Sequence, residues 1–403
     1  METEQNRRIF RAGDIIVRAG EKNDHTYIIE RGTVGLFRAE ADMASGSEAA
    51  PLLQSLLETR GAGALIGDNN LGAVKPFPQT IQALEECEAL VLTKDDFARL
   101  LMSPDPVTQS TAKIILARSR LERTAQNEGN DAAPPLDDAD IESLSADFKK
   151  ALGTKQVSLH YQPIMNFRTG FVDGFEALMR WNHPEKGEIP PSVFISAIEK
   201  TGLIVDATRW ALRKACRALK RIESRIGLER PLFMSVNFSP VDFAEENFLD
   251  QLYTILSETD AAAAEVHLEI TETLLMGQPK NAWETLSLCK KAGLGISIDD
   301  FAMEHSSLAY LHYYPINSIK IDQLYIRSMF DDPAAFELIT AILALARHMD
   351  ISVTAEGIET QQEAETLARL GCHRAQGYFF SHPLAESALT DKLLEWRREG
   401  LLD

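Results

Sequence analysis

Residues 173–204 read DGFEALMRWNHPEKGEIPPSVFISAIEKTGLI, and they contain the arrangement that decides the fold. Glu176 stands where a short apolar run ends. A short run rich in Val, Ile, Leu or Phe is typical of a buried strand. A polar group at the end of such a strand is costly to bury unless something pairs with it. This stretch therefore predicts a buried strand whose end carries a functional acid.

The same arrangement recurs along the last two-thirds of the chain. Because several strands end in this way, we expect their polar side chains to converge on one site. Crowded carboxylates repel one another unless cations neutralise them. The pattern predicts a divalent-metal centre built from Glu176, Asn237, Glu269, Asp299, Asp300, Glu356 and Gln376.

From about residue 141 the pattern alternates between strands and helices, which is typical of βα units around a parallel sheet. Helical runs such as WALRKACRALKRIESR separate most of the strands. Eight strands over roughly 260 residues fit the size of a (β/α)8 TIM-type barrel, in which the chemistry lies at the carboxyl ends of the strands. The predicted strands lie near residues 156–164, 171–178, 232–237, 265–270, 294–299, 317–321, 352–356 and 373–376.

The donor set points to the kind of metal. Carboxylate and amide oxygens suit Mg²⁺ or Mn²⁺, and they do not suit zinc alone. Asp299 can bridge two metals ~3.5–4 Å apart, which is the usual arrangement for phosphoester displacement. Lys320 ends another strand and can orient water or neutralise charge, while Arg180 is placed to grip a phosphate.

Composition narrows the class of protein. The chain has 403 residues, 45% of them hydrophobic, and a net charge of −19. That charge argues against a surface that coats nucleic acid. The polar start METEQNRRIF predicts no secretory signal, and no apolar run is long enough to span a bilayer. Four scattered cysteines predict a reduced cytoplasmic protein without a zinc site or disulfide.

The N-terminal part has a different pattern. Residues 9–100 read as short antiparallel strands broken by glycines, and residues 107–127 have helical spacing, with Val107, Ile114, Ile115 and Leu121 on one broad face. The polar, acidic stretch at 127–140 is typical of a linker. We therefore expect a β-roll with a C-terminal helix over 1–106, a connecting helix and linker over 107–139, and the barrel over 140–403.

The C-terminal part resembles the EAL domain, the family that hydrolyses cyclic di-GMP. The resemblance is carried by Glu176-Ala177-Leu178 and by YQPI, SVNFSP, LEITET, IDDF, SIKID, AEGIET and QGYFFSHPL, across about residues 140–403. It implies a modified TIM barrel, two Mg²⁺ or Mn²⁺ ions, and hydrolysis of cyclic di-GMP to pGpG.

The resemblance also implies roles for single residues. Glu176, Asn237, Glu269 and Asp299 would hold one metal. Asp299, Asp300 and Glu356 would hold the other, with Gln376 acting through bound water. Lys320 would position the attacking water, and Glu356 is a candidate base. The implied substrate contacts are Gln162, Arg180 and Asp322, and Glu272 would support the loop after Asp300.

That loop departs from the family pattern. The family runs DFGTGYSS or close to it, whereas residues 300–307 here are DFAMEHSS. Glycine allows turns that other residues resist. We therefore expect lowered or conditional activity, and the alternative is a cyclic di-GMP receptor with little or no turnover. A scaffold that handles no nucleotide is disfavoured by the complete metal set.

Residues 9–125 resemble a regulatory cyclic-nucleotide-binding domain, through FRAGDIIVRAGEKNDHTYIIERGTVGLFR, ALIGDNNLG and TIQALEECEALVLTKDDFARLL. The ligand cassette departs from its pattern. Asp68 follows Gly67 where the pattern has Glu. Gln79 stands before Thr80 where the pattern has Arg, and losing the charge-assisted contact of that Arg with the cyclic phosphate would cost ~1.5–3 kcal/mol. Lys75, in the same loop, is a candidate to supply that positive charge instead.

Two interpretations of this domain stay open, namely a sensor of cAMP or cGMP and a structural or protein-contact module. For the whole protein the sequence predicts a bacterial, cytoplasmic homodimer. It predicts no nucleic-acid or membrane partner.

Overall fold

The structure is a computed structural model that describes residues 6–22, 25–38, 56–61, 64–67, 76–127, 137–227, 230–277, 279–303, 314–400 and 402. The chain forms two compact units. The first takes in the described parts of 1–130, 302–313 and 329–349, and the second takes in those of 131–301, 314–328 and 350–403. Our boundaries at residues 106/107 and 139/140 stay a prediction.

The start of the first unit is a small antiparallel β-domain, as predicted. Its two four-stranded sheets have the orders β1-β8-β3-β6 and β2-β7-β4-β5. Buried apolar side chains such as Val17, Ile29, Val34 and Val91 fill the space between them. The strands are β1 (Arg7–Phe10), β2 (Ile15–Val17), β3 (Thr26–Arg31), β4 (Val34–Arg38), β5 (Leu56–Arg60), β6 (Leu65–Ile66), β7 (Gln79–Ala83) and β8 (Cys87–Leu92).

Three helices accompany this β-domain within the first unit: α1 (Lys94–Leu101), α2 (Pro106–Asn127) and α11 (Pro333–His348). Helix α1 begins at a capping box, in which Thr93 and Asp96 each accept the other's backbone N–H. Helix α2 packs along α11, with Ile114 and Ile115 buried. The ion pair between Arg120 and Glu337 is largely exposed to solvent, so it contributes little stability.

The second unit contains a closed eight-stranded barrel, and this confirms the predicted fold class. The order around it is β10-β12-β13-β14-β15-β16-β17-β9, closed by pairing of β9 with β10. Strands β11 and β18 lie at its periphery. Its strands are β9 (Val157–Asn166), β10 (Val172–His183), β11 (Gly187–Ile189), β12 (Phe233–Phe238), β13 (Val266–Thr271), β14 (Gly295–Phe301), β15 (Ser318–Ile321), β16 (Ser352–Ala355), β17 (Arg374–Ala375) and β18 (Leu384–Ala385).

Helices alternate with these strands. They are α3 (Asp138–Ala151), α4 (Pro191–Lys200), α5 (Ile204–Ile226), α6 (Pro240–Phe243), α7 (Phe248–Thr259), α8 (Glu272–Gly277), α9 (Pro279–Lys291), α10 (Gln323–Ser328), α12 (Gln361–Leu370) and α13 (Glu386–Arg398), with a 3₁₀ turn at Ala263–Glu265.

The barrel is not wholly parallel, because β9 runs antiparallel to both of its neighbours, β10 and β17. Only five residues, 167–171, separate β9 from β10. That connection is too short for the crossover that a parallel pair needs, so the two strands form a hairpin. The sequence predicted both strands but not this reversal of direction.

The amino-terminal end of the barrel is closed by stacked side chains. The ring of Phe233 lies 4.0 Å from that of His267, nearly parallel to it. Gly295 lies against the same histidine, and a Cβ atom there would be 2.1 Å from the ring. Asp173 accepts hydrogen bonds from Arg374 at 2.9 Å and from Asn166 at 2.9 Å. The opposite, carboxyl end is left open for chemistry.

No helix among the described residues combines the length and the apolarity that crossing a membrane requires.

Candidate active site

The predicted metal ligands lie together, most of them near the carboxyl ends of their barrel strands. Glu176 differs from the prediction, because β10 does not end there but continues to His183. Glu176 is on β10, Asn237 on β12, Glu269 on β13 and Asp299 on β14. Neighbouring strands pair so that Asn237 lies beside Glu269 and Thr271 beside Asp299. Parallel strands in register bring their ends to one edge, so each side chain reaches the same space. The remaining members are Asp300 at the end of β14, Lys320 on β15, Glu356 after β16 and Gln376 after β17.

Lys320 is at the centre of the cluster and is 2% exposed. Its Nζ lies 2.6 Å from a Glu356 oxygen, 3.0 Å from Glu269 and 3.2 Å from each of Glu176 and Asp299. Burial alone would lower the pKa of Lys320, but the four carboxylates raise it well above its usual value. Lys320 is therefore a fixed positive charge in the floor of the site.

Two amide side chains order the carboxylates. Asn237 Nδ2 donates to Glu176 Oε1 at 2.9 Å. Gln376 Nε2 donates to Glu176 Oε2 at 2.6 Å and to Glu356 Oε1 at 3.1 Å. The amide oxygen of Gln376 is buried and accepts no hydrogen bond from the described residues. A buried acceptor of this kind needs a partner, and a cation or its bound water would provide one.

The carboxylates form two groups that can each hold a cation. Glu176, Glu269 and Asp299 offer oxygens within 4.8 Å of one another, and so do Asp299, Asp300 and Glu356. Asp299 belongs to both groups, which is the position of a bridging ligand. When all five acids are ionised, Lys320 leaves four negative charges uncompensated, and two divalent cations would balance them. The residues therefore fit a pair of Mg²⁺ or Mn²⁺ ions.

Burial and mutual repulsion make it costly to ionise all of these acids together. Burial raises the pKa of Glu269, Glu356 and Asp299, and the charge of the neighbouring Glu176 raises each of them further. Burial acts in the same direction on Glu176, but Lys320 and the amides of Gln376 and Asn237 lower its pKa below the usual value. The site thus stores electrostatic repulsion that a cation relieves.

Asp300 is held differently from Asp299. It is exposed and has φ +49°, and its amide donates to Asp299 Oδ1 at 3.1 Å. Although the residue as a whole is exposed, partial desolvation of its carboxyl and the charges of Asp299 and Asp322 raise the pKa of Asp300 to about 7. Two residues on, Ala302 is buried and has φ +70°. Both are left-handed conformations that favour glycine. Residues 304–307 of the predicted loop lie outside the described residues.

The predicted substrate residues border the same site. Gln162 and Arg180 line a pocket of about 220 Å³ that opens above Glu176, Asp299 and Glu356. Asp322 lies at the entry to α10, where it accepts the backbone N–H of Leu324 at 2.7 Å. Glu272 begins α8 and is buried.

Sequence reasoning missed other side chains of this pocket. Arg327 on α10 lies 2.5 Å from Glu359, and both line the pocket with Tyr378 and Gln323. Glu359 lies in AEGIET and Tyr378 in QGYFF, the motifs that contain Glu356 and Gln376. Their nearness in sequence to those two residues could have identified them as pocket residues. Arg327 was not foreseeable, because only the turn of α10 brings it to the pocket.

One buried acid lies away from this cluster. Asp242 on α6 is 3% exposed, and it accepts hydrogen bonds from Ser239 N at 2.8 Å and from Thr208 Oγ1 at 3.1 Å. Burial raises its pKa from 3.8 to about 7. The two donors belong to a helix start and to α5, so its role is structural.

The candidate ligand residues of the β-domain are only partly described. Gly67 follows β6 with φ +80°. Gln79 and Thr80 begin β7, and Thr80 Oγ1 accepts the N–H of Ala19 at 3.0 Å. Asp68 and Lys75 lie outside the described residues.

The fold and site define a protein in which a carboxylate-lined barrel is joined to a small β-domain. The EAL-domain family model matches residues 145–383, and the cyclic nucleotide-binding domain model matches residues 7–103. The chain therefore belongs to the EAL-domain family, and both resemblances drawn from the sequence are confirmed.

Named relatives include cyclic di-GMP phosphodiesterases. PA2567 of Pseudomonas aeruginosa is 34% identical over 268 residues, which are 66% of this chain and 44% of that protein. PdeR of Escherichia coli is 34% identical over 241 residues, which are 60% of this chain and 36% of that protein. The chain spans from 30% to 44% of the length of the first relatives that it matches, whether or not their activity is named.

Solved structures match either nearly the whole chain or about three-fifths of it. The EAL enzyme Bd1971 in its cGMP-bound form has a TM-score of 0.61 and 29% identity, and the match covers 96% of this chain and 100% of that one. A form with cAMP and cyclic di-GMP bound also has a TM-score of 0.61. The MucR phosphodiesterase in complex with cyclic di-GMP has a TM-score of 0.59 and 36% identity, and the match covers 61% of this chain and 99% of that one.

Proposed function

We propose that the protein is a metal-dependent phosphodiesterase that hydrolyses cyclic di-GMP to pGpG in the bacterial cytoplasm. The observation that carries this proposal is the pair of carboxylate groups that share Asp299, with Lys320 bonded to both. That donor set suits two Mg²⁺ or Mn²⁺ ions. When bound, such a pair activates water and stabilises the attacking and leaving oxygens of a phosphoester displacement.

The chain's own residues bind and orient the substrate. Arg180 and Gln162 line the pocket beside Glu176, so they are placed to contact a phosphodiester and a ribose or base edge. Lys320 is buried and held by four carboxylates, so it can orient the attacking water and neutralise charge without moving. Glu356, at 2.6 Å from Lys320, is the candidate base.

A receptor with weak turnover is the second candidate, and one observation favours it. Ala302 has a left-handed backbone that costs about 1–2 kcal/mol for a residue other than glycine. It immediately follows the segment that carries Asp300. A strained segment next to Asp300 would lower the fraction of molecules whose site is arranged for catalysis. Turnover would fall with that fraction, whereas binding of cyclic di-GMP would be less affected.

Regulation by the N-terminal domain is part of the proposal. The resemblance of residues 7–103 to a cyclic nucleotide-binding domain, and the forms of Bd1971 that carry cAMP or cGMP, support a sensor of one of these nucleotides. Helix α2 packs along α11 within the first unit. We propose that ligand binding reorients α2, changes the geometry of a homodimer and settles residues 301–307 around Asp300. The protein would have no nucleic-acid or membrane partner.

The site assignment is tested by Glu176→Gln, which keeps the shape of a metal ligand but removes its charge. Cyclic di-GMP hydrolysis by the purified protein with Mg²⁺ or Mn²⁺ should fall by at least about 10³-fold, on the scale expected for loss of an essential catalytic group. Glu188→Gln on the peripheral strand β11 is the matched control and should retain full turnover. Hydrolysis that survives in Glu176→Gln would remove this site from the reaction.

The regulatory part is tested separately. Turnover of the full chain is compared without nucleotide, with cAMP and with cGMP, and with that of a fragment starting at residue 137, where Asp137 caps α3. A rise in full-length turnover with one nucleotide is expected. A fragment as active as the nucleotide-bound full chain would contradict control by the N-terminal domain and leave the enzyme assignment intact.

A further inference from the structure

Two paired strands in the β-domain each carry a row of side chains that faces the core, and the last side chain of each row within its strand is polar. Strands β4 and β7 are antiparallel and continuous in register, from Val34 opposite Ala83 to Arg38 opposite Gln79. Val34 and Leu36 on β4 belong to the buried core, as do Ile81 and Ala83 on β7. Because side chains alternate along a strand, Arg38 and Gln79 continue these two rows. Arg38 is exposed, and Gln79 is half-buried between Ile81 and the core residue Phe77.

The cross-strand geometry brings these two side chains together. Residues directly opposite one another on an antiparallel pair have Cβ atoms about 4.5–5.5 Å apart. An arginine side chain is long enough to reach any group that Gln79 contacts. The guanidinium of Arg38 and the amide of Gln79 can therefore serve one ligand together.

Gly67 is packed against Phe77, which is two residues from Gln79 in the sequence. Its carbonyl accepts a hydrogen bond from the buried Thr26 Oγ1 at 3.2 Å. A Cβ at Gly67 would lie 2.8 Å from the Phe77 ring and 2.8 Å from the His25 carbonyl, so only glycine fits there. Phe77 is a core residue two positions before Gln79. The turn at Gly67 is thus fixed beside the row that ends in Gln79.

We propose that Arg38 supplies the charge-assisted contact to the cyclic phosphate of a 3′,5′-cyclic mononucleotide bound at this end of the β-domain, with Gln79 as a neutral second donor. The inference rests on the proposed binding of cAMP or cGMP by this domain. Arg38 would supply the positive charge that Gln79 lacks, because it lies directly opposite Gln79 on the neighbouring strand. A planar guanidinium suits a phosphate, which accepts two parallel hydrogen bonds from it.

The test is calorimetric titration of the full chain with cAMP and with cGMP. Arg38→Gln should weaken both affinities by about 10- to 100-fold, which is the range for loss of a hydrogen bond to a charged group. Equal losses are expected because the phosphate is common to both ligands. Arg8→Gln, an exposed arginine on β1 of the other sheet, is the surface-charge control and should leave both affinities unchanged.

A rescue variant separates a lost contact from a damaged fold. In the double variant Arg38→Gln/Gln79→Arg the charge moves across the strand pair, and affinity should return to within a few-fold of wild type. Loss of affinity in Lys75→Gln but not in Arg38→Gln would overturn the assignment in favour of Lys75. A loss confined to one nucleotide would mean a base contact and would also overturn it.

The same samples distinguish failure of this inference from failure of the proposed function. A wild type that binds neither nucleotide would overturn both the Arg38 assignment and the proposed sensor. Cyclic di-GMP hydrolysis by that sample would still test the barrel independently. Nucleotide binding that Arg38→Gln leaves unchanged would overturn the Arg38 assignment alone and keep the sensor.

Discussion

Replacing Lys320 by methionine should make the stability of the barrel depend on divalent cations. Nζ of Lys320 lies within 2.6–3.2 Å of four carboxylate oxygens, and the side chain is almost fully buried. Removing one partner from a buried ion pair costs about 3–5 kcal/mol, because the other charge is left uncompensated. For a large domain each kcal/mol shifts the melting temperature by about 2–4 °C. Lys320→Met should therefore melt ~10 °C below wild type in EDTA.

Cations should recover most of that loss. The two carboxylate groups that share Asp299 would hold metals that replace the missing positive charge. Cation binding stabilises both proteins by mass action, and the variant gains more, because its carboxylates bind cations more tightly once the Lys320 charge is gone. In saturating Mn²⁺ the gap between variant and wild type should shrink to less than half of its value in EDTA. Hydrolysis should stay low, because the residue that orients the water is gone.

Differential scanning calorimetry with EDTA and with Mn²⁺ measures both quantities. Lys290→Met is the matched control, since the Lys290 ammonium donates to the Ile316 carbonyl at 3.3 Å outside the cluster. Its melting temperature should shift equally in both conditions. An equal loss for Lys320→Met with and without Mn²⁺, or no loss in EDTA, would refute the account of the site as a stored repulsion that cations relieve.

Three further changes have defined outcomes. Ala302→Gly should raise nucleotide-free turnover by up to about 30-fold, since about 1–2 kcal/mol of left-handed strain is removed beside the site. Asp260→Gly relieves similar strain at φ +54° on the C-terminal cap of α7 and should not change turnover. The folded pKa of Asp242 is raised from 3.8 to about 7, so the folded state binds the proton more tightly and stability falls as pH rises from about 4 to 7. Asp242→Asn should flatten that fall, by at most about 4 kcal/mol, in urea titrations at several pH values; an unchanged slope would contradict the burial assigned to this carboxyl. Gly295→Ala should destabilise the barrel by about 1–3 kcal/mol, because the added Cβ overlaps the His267 ring, and an unaltered urea midpoint would show that the ring moves freely.

Much of the barrel and its carboxylate cluster was predictable because several strands are short apolar runs that stop at a polar residue, although β10 continues past Glu176 to His183. Asp299 and Asp300 follow GISI, and Glu269 follows a run of the same kind. The register of parallel strands then brings such ends to one edge without further information. The joint pattern was therefore enough to predict both the fold class and the members of the cluster.

Other features depend on three-dimensional relations that no local pattern contains. The antiparallel direction of β9 follows from a five-residue connection. The four partners of Lys320 come from four different elements. Arg327 reaches the pocket only through the turn of α10, and Arg38 faces Gln79 only through the register of β4 and β7. Sequence analysis identified the missing charge at Gln79 but had no means of finding its cross-strand neighbour.

The most direct test of the central claim is product analysis of cyclic di-GMP incubated with the purified full chain, in EDTA and in Mg²⁺ or Mn²⁺. We expect pGpG as the product with either cation and no turnover in EDTA. Binding of cyclic di-GMP without hydrolysis under every cation and nucleotide condition would contradict the enzyme assignment and make the protein a receptor.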